Sequence, residues 1–261
     1  MKWQARRTSR NIEDRRVRGG RGTVPPSGGG REITEADGGR AEVVLVTLAD
    51  TDDVWLDMFH QQVDGAYPPV TLVLYKGVRQ LPWGGASRTI GPFYCPCARK
   101  VYLDTGVFTT MSRQLGASGE FAAAYVVAQE VAHHVQNERG ILGQSNRMRA
   151  QVDQTESNTA SIHIELQADC YSGTWARNAQ ARFGSLEQGD IGEAMNAAKQ
   201  IGEDTLQRNA GRPPMPHTFT HGTSAQRQRR FTTGFETGDL RGCDTFSTND
   251  LWDKKQSSVE F

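Results

Sequence analysis

The 261-residue chain has only four cysteines, Cys95, Cys97, Cys170 and Cys243, and its 30 Lys/Arg are balanced by 30 Asp/Glu. Zero net charge and a mean hydropathy of −0.60 exclude a polyanion binder or an integral membrane protein as the character of the whole chain. No stretch approaches the ~20 apolar residues that a bilayer span needs. The longest apolar run, "AEVVLVTLA" at 41–49, is too short and contains Glu42 and Thr47. The basic start is followed by Gly and Pro rather than an apolar core, so no export signal is read there. The expectation is a soluble, cytoplasmic chain with no membrane span. Cysteine is too sparse for a disulfide scaffold, and Cys95-Pro96-Cys97 has one intervening residue where a zinc knuckle has two. Cys170 and Cys243 are either bridged or separate thiols; spacing does not decide.

Charge is nevertheless unevenly placed. Residues 1–22 hold eight Lys/Arg against Glu13 and Asp14, an excess of six positive charges. Together with the Gly/Pro-rich text that follows, this predicts a disordered basic arm over 1–41. Such an arm is either a solvated tail or a weak contact for anionic lipid or nucleic acid. A folded domain is expected over 42–246 and a loose tail over 247–261.

Within the domain, "TDDVWLDMFHQQV" reads as a helix opened by a capping residue. "PVTLVLYKG" and "RKVYLD" read as strands. Ala-rich "SGEFAAAYVVAQEVAHHVQNERG" predicts a helix over 119–138, with Ser118 as cap and Gly140 as stop. Further helices are expected over 156–183, over 186–209, and from Thr223 or Ser224 onward. A small sheet before a mainly helical body is an α+β pattern.

Chemistry concentrates on two of these helices. Gln129 and His133 are four apart and share a face, with Glu130 about 100° to one side. This is the spacing of the H-E-x-x-H zinc signature, in which two ligands flank a carboxylate that acts as general base. Here Gln129 occupies the first ligand position, and a neutral amide is a poor zinc donor. Alone, Glu130 is as readily surface charge, and His133 a hydrogen-bonded, partly buried residue. "ELQAD" places Glu165 and Asp169 on one face of the next long helix, which suits a third metal ligand with a supporting carboxylate. A solvated helix face is the bland alternative, and the small, apolar flanks argue against it. His134 points away from the ligand face and is expected to pack or hydrogen-bond; His163 is read as structural. His221, just before a helix start, either donates to an oxyanion or helps to cap that helix.

Taken together, "MKWQARRTSRNIEDRR", "LADTDDVWLDMF", "GPFYCPCARKVYLD", "FAAAYVVAQEVAHHVQNERGI", "IELQADCYSGTWA" and "FTHGTSAQRQRRFTTGFETGDLRGCDTF" resemble, in order, the bacterial neutral zinc metallopeptidase family. The resemblance covers nearly the whole chain outside the Gly/Pro-rich stretch. It implies a zincin-like fold, a peptide or protein substrate, and a bound Zn2+ held by His133 and Glu165. It also implies Glu130 as the base acting on zinc-bound water, His221 as a transition-state donor, and Asp169 in support.

Three departures accompany it. The family's first His is Gln129, which predicts a weakened peptidase or, alternatively, an inactive relative that binds peptides or a protein partner. Relatives usually carry a membrane anchor after the basic arm, and this chain has "GRGTVPPSGGGREITEADGG" there. The family's Cys before "GPFYC" is also absent, with Trp83 near its place, so Cys95 is left with Cys97 as an unusual neighbour.

Overall fold

The computed structural model of the chain describes residues 1–16, 35–63, 65–76, 79–80, 86–87, 91–114, 116–117 and 119–247. They form two compact units. The first comprises 1–135 and 184–197, the second 136–183 and the residues from 198 onward. The architecture is α+β and mostly helical, as the pattern predicts. Ser118 and Trp83, and most of the expected 247–261 tail, lie outside the described residues.

The first unit opens with strand β1 (Ile12–Asp14), which pairs in parallel with β2 (Thr71–Tyr75). Helix α1 (Glu35–Gln62) separates them in sequence. A short antiparallel pair, β3 (Arg79–Gln80) and β4 (Ala86–Ser87), precedes β5 (Phe93–Cys95) and β6 (Lys100–Asp104). The main sheet has the order β1-β2-β6-β5, with β2 and β6 parallel and β5 antiparallel at the edge. Its central strands "TLVLY" and "KVYLD" are rich in aliphatic and aromatic residues, and Leu72, Val73, Leu74, Val101 and Leu103 are almost fully buried. Such runs suit strands covered on both faces. Helix α2 (Gly106–Gln114) leads to α3 (Glu120–Glu138), which matches the helix predicted over 119–138.

Two sequence expectations change here. A disordered arm was expected over 1–41, yet residues 1–16 are built into the first unit. Ser9 N–H donates to the Leu45 carbonyl, Leu72 N–H to Asn11 and Arg15 N–H to Leu74. Arg6 pairs with Asp50 at 2.8 Å and Arg7 with Asp53 at 2.7 Å, while Arg15 and Arg16 pair with Glu13 and Asp14. Four cations among the described residues 1–16 therefore have carboxylate partners, which a count of local hydropathy does not register. The second change concerns Thr51. It was expected to open a helix, but it lies mid-way along α1, where its hydroxyl donates to the Leu48 carbonyl. The apolar run 41–49 is helical, and its Val43, Val44, Val46 and Leu48 are buried, as are Val54, Trp55 and Met58 further along α1.

The second unit contains α4 (Ile141–Arg149), α5 (Gln154–Phe183), α7 (Glu203–Asn209) and α8 (Ser224–Thr237); α6 (Asp190–Gln200) begins in the first unit and runs past the boundary at 197. The single helix predicted over 186–209 is thus divided. Gly202 is extended (φ −66°, ψ 137°), and a Cβ there would lie 2.4 Å from the Ser224 backbone nitrogen. The break lets the chain pass this close to the start of α8. That start is where the sequence places it: Thr223 and Gln226 form a reciprocal capping box. Helices α5 and α8 touch backbone to backbone at Gly173 and Gly234. A Cβ on Gly234 would lie 1.8 Å from the Cys170 carbonyl oxygen, and one on Gly173 would lie 2.0 Å from that of Phe231. Cys170 is bridged to Cys243 across 73 residues, which settles the pairing that spacing left open. No helix among the described residues is long and apolar enough to cross a membrane.

Candidate metal centre

Helix α3 is buried nearly all round. Its small and apolar residues from Phe121 to Val135 are each at most 5% exposed. A helix apolar on every face is a core helix, so polar residues within it require partners. Five polar side chains are buried there: Gln129, Glu130, His133, His134 and Gln136.

His134 behaves as the sequence suggests. Its Nε2–H donates to the Pro68 carbonyl at 2.7 Å, and because that nitrogen carries the proton, Nδ1 accepts from the Tyr94 hydroxyl at 3.1 Å. The ring is thereby fixed as a link between α3 and the β5 strand. Gln136 donates to the Ile164 carbonyl and to Gln167 Oε1, which satisfies an otherwise costly buried amide.

Gln129 and His133 meet as their i, i+4 spacing requires. The amide Nε2 of Gln129 is 3.0 Å from Nε2 of His133. An amide nitrogen only donates, so His133 Nε2 is the unprotonated acceptor and its lone pair is directed at Gln129. Glu130 lies beside them, 6% exposed. Against the H-E-x-x-H signature, these positions supply one imidazole rather than two. His133 is a good donor, but the lone pair it would give a metal is engaged by an amide, and Gln129 offers only a weak carbonyl oxygen. Among the described residues, no three His, Cys, Asp or Glu side chains are grouped so as to hold a metal ion.

The second unit holds the other candidates. Glu165 and Asp169 share a face of α5. Asp169 is fully buried and receives both Nε and Nη2 of Arg227, at 2.9 and 3.0 Å. A bidentate guanidinium is the strongest neutralising partner available to a buried carboxylate. His221 comes close to Glu165, with Nε2 3.9 Å from Oε1. It stands on a loop anchored by Phe219, which is buried against Ile162 and Leu166 of α5. Gly222 completes that loop at φ +85°, a conformation that disfavours any side chain. The cap of α8 is Thr223, so His221 is free of that duty.

Glu203 was not singled out from the sequence, yet it organises this loop. One carboxylate oxygen accepts the backbone N–H groups of Thr220 (2.6 Å) and His221 (2.8 Å). The other lies 3.6 Å from His221 Nδ1. Burial pushes the Glu203 carboxyl up, but its bonds to His221 and Thr220 outweigh this and hold it below the usual carboxylate range. Burial likewise pulls His221 down, and the carboxylates of Glu203 and Glu165 outweigh it to raise the imidazole above its ordinary value. Eighteen residues separate Glu203 from His221, and no local pattern links them. His163, which the sequence reading treats as structural, stacks on Phe246 with centroids 5.2 Å apart.

The α+β fold thus carries E-x-x-H on a buried helix and E-x-x-x-D on the next long one, the two motifs on which the resemblance rests. The chain belongs to the family described as "Putative neutral zinc metallopeptidase", whose model matches residues 31–246. It is 37% identical to the uncharacterized protein YpfJ of Escherichia coli K12, in an alignment covering 94% of this chain and 99% of that protein. It is 40% identical to the uncharacterized protein Rv2575 of Mycobacterium tuberculosis H37Rv, covering 80% of this chain and 71% of that protein. No solved structure matches the chain.

Proposed function

We propose that this chain is a neutral zinc metallopeptidase weakened at its first ligand position. Family membership supports His133 and Glu165 as the zinc donors, Glu130 as the general base, and His221 as the donor to the developing oxyanion. When bound, zinc acidifies water and polarises a peptide carbonyl. Glu130 is buried on α3, away from competing bulk water, as suits a carboxylate that accepts a proton during attack. Glu203 orients His221, and with Glu165 it raises the imidazole above its ordinary value, as suits a donor to negative charge.

The observation that carries the weakening is the 3.0 Å bond from Gln129 to His133 Nε2. Metal binding must break it and, at position 129, gains only an amide oxygen in return. Losing a supporting partner alone lowers metal affinity about 10–100-fold, and losing a first imidazole costs at least as much.

Zinc per chain, measured by elemental analysis after gentle purification, tests this. Wild type is expected well below one equivalent and Gln129→His near one. Gln129→His is then expected to cleave an unstructured protein, with a further Glu130→Gln change lowering that rate about 100-fold or more at unchanged zinc content. A wild type that holds zinc as tightly as Gln129→His would sink the proposal. The same Gln129–His133 bond favours one second reading, an inactive relative that binds a peptide or protein partner. That reading expects peptide binding that survives chelation and no cleavage by the wild type at any zinc concentration.

A further inference from the structure

Cys95 and Cys97 take no part in the chemistry above. Cys95 ends β5 and is buried in a cluster with Val73, Tyr75 and Tyr102, whereas Cys97 is exposed. Pro96 and the turn that follows fold the chain back, and Arg99 adopts φ +51° within it. The two sulfurs stand 2.8 Å apart. A covalent S–S bond is about 2.05 Å, so closing the pair needs a movement of only ~0.8 Å. The chain's other two cysteines are already joined to each other, which leaves Cys97 as the intramolecular partner for Cys95.

We propose that Cys95 and Cys97 form a reversible dithiol–disulfide site whose oxidant is the disulfide of a low-molecular-weight thiol. The asymmetry of the pair assigns the steps. Cys97, exposed, attacks one sulfur of the small disulfide as its thiolate and expels one thiol, which leaves a mixed disulfide on Cys97. Cys95 then loses its proton and attacks the Cys97 sulfur, forming the Cys95–Cys97 bond and expelling the second thiol. Two protein thiols become one disulfide, and the small disulfide gains the two electrons and two protons. Burial and the neighbouring Cys97 push the Cys95 thiol up, which suits a resolving sulfur that reacts only with the partner beside it. The bridge spans a single intervening residue next to solvent, so a small thiol reaches it and the reaction runs in both directions. The site adjoins Tyr94, whose hydroxyl holds His134 of α3.

The test uses the full chain, equilibrated in a series of buffers from fully reduced to fully oxidised glutathione. After acid quenching and alkylation, intact mass and peptide mapping count what has reacted. The expected product in oxidising buffer is lighter by two hydrogens, has lost alkylation at both Cys95 and Cys97, and is restored by dithiothreitol. Cys97→Ser is expected to leave Cys95 alkylatable in every buffer, because the buried thiol does not meet glutathione. Cys95→Ser is expected to stop with glutathione attached to Cys97. Wild type that also stops at that mixed disulfide, keeps both thiols in the most oxidising buffer, or pairs either sulfur with Cys170 or Cys243 overturns the proposal.

Discussion

At the scale of single residues, burial decides more than charge count. Asp52 is 5% exposed, and its Oδ1 has no hydrogen-bond partner, while Asn11 donates to Oδ2 at 3.3 Å. Burial outweighs that bond and the attraction of Arg7, so its carboxyl is pushed up to about 7 from the ordinary 3.8. Asp50 is pushed in the same direction despite Arg6. The sign for stability follows. Below the unfolded value both states are protonated, and the group costs nothing. Between that value and about 7 the folded state keeps a proton that the unfolded state gives up, so stability falls as pH rises and levels off above the folded value. At about 1.4 kcal/mol per pH unit, the cost is on the order of 1–4 kcal/mol. Asp52→Asn removes it. Urea unfolding at pH 5 and pH 8 is expected to show the variant gaining on wild type by that order at the higher pH. An equal difference at both pH values would mean that Asp52 is ionised in the folded state without penalty.

Single residues also separate what holds the site from what would react in it. Asp169 and Arg227 neutralise each other inside the second unit, and Glu203 holds the His221 loop through two backbone N–H groups. Under the proposed reading, Gln129 opposes the chemistry at the first ligand position, because an amide is a weak zinc donor. Changing it tests function, whereas changing Asp169 or Arg227 mainly tests folding, since breaking a buried pair costs about 3–5 kcal/mol.

At the scale of elements, the pairing of α5 with α8 depends on glycine. The space for a Cβ on Gly234 is filled by the Cys170 carbonyl, which is backbone and does not swing aside. Gly234→Ala must push the two helices apart, and overpacking of this kind costs at least about 2 kcal/mol. Gly192, in α6, has no atom within 4 Å of an added Cβ, and Gly192→Ala is expected to be neutral or to stabilise by about 0.5–1 kcal/mol through helix propensity. Thermal unfolding of the two variants checks the contrast. Similar midpoints would show that α5 and α8 do not approach so closely. Element boundaries were legible where a local signal exists. Thr223 and Gln226 announce the start of α8, and the Ala-rich run announces α3. The division between α6 and α7 was not legible, because it answers to the close passage of Gly202 past Ser224.

At the scale of the molecule, residues 1–16 are part of the first unit. Removing them takes away β1, its hydrogen bonds to the β2 strand and the Arg6–Asp50 pair, and leaves Asp50 and Asp52 without their partners. Each of these hydrogen bonds contributes about 1 kcal/mol, so truncation before Val17 is expected to destabilise the first unit by several kcal/mol. A solvated tail would come off at no cost to the unfolding midpoint, and that outcome would restore the expectation of a disordered arm. The Cys170–Cys243 bridge bears on the same scale. Structural disulfides persist mainly in oxidising compartments, so the cytoplasmic location expected from the sequence gains no support from it.

The sequence by itself determined the class of the fold, the two helices that hold the candidate residues, and the family. Helical periodicity, caps and ordered motifs are local, and their physics acts within a few residues. It also put Gln129 where the resemblance expects a ligand, since that is a matter of residue type. Only the tertiary structure decided that the lone pair of His133 is engaged by Gln129, that Arg227 neutralises Asp169 across 58 residues, and that Glu203 positions His221. It likewise decided that Cys170 meets Cys243 and that residues 1–16 are built into the first unit, with Ile12–Asp14 as a strand. Each of these pairs groups whose charge or hydrogen-bonding capacity must be met once water is removed, and which groups meet is set by packing rather than by spacing.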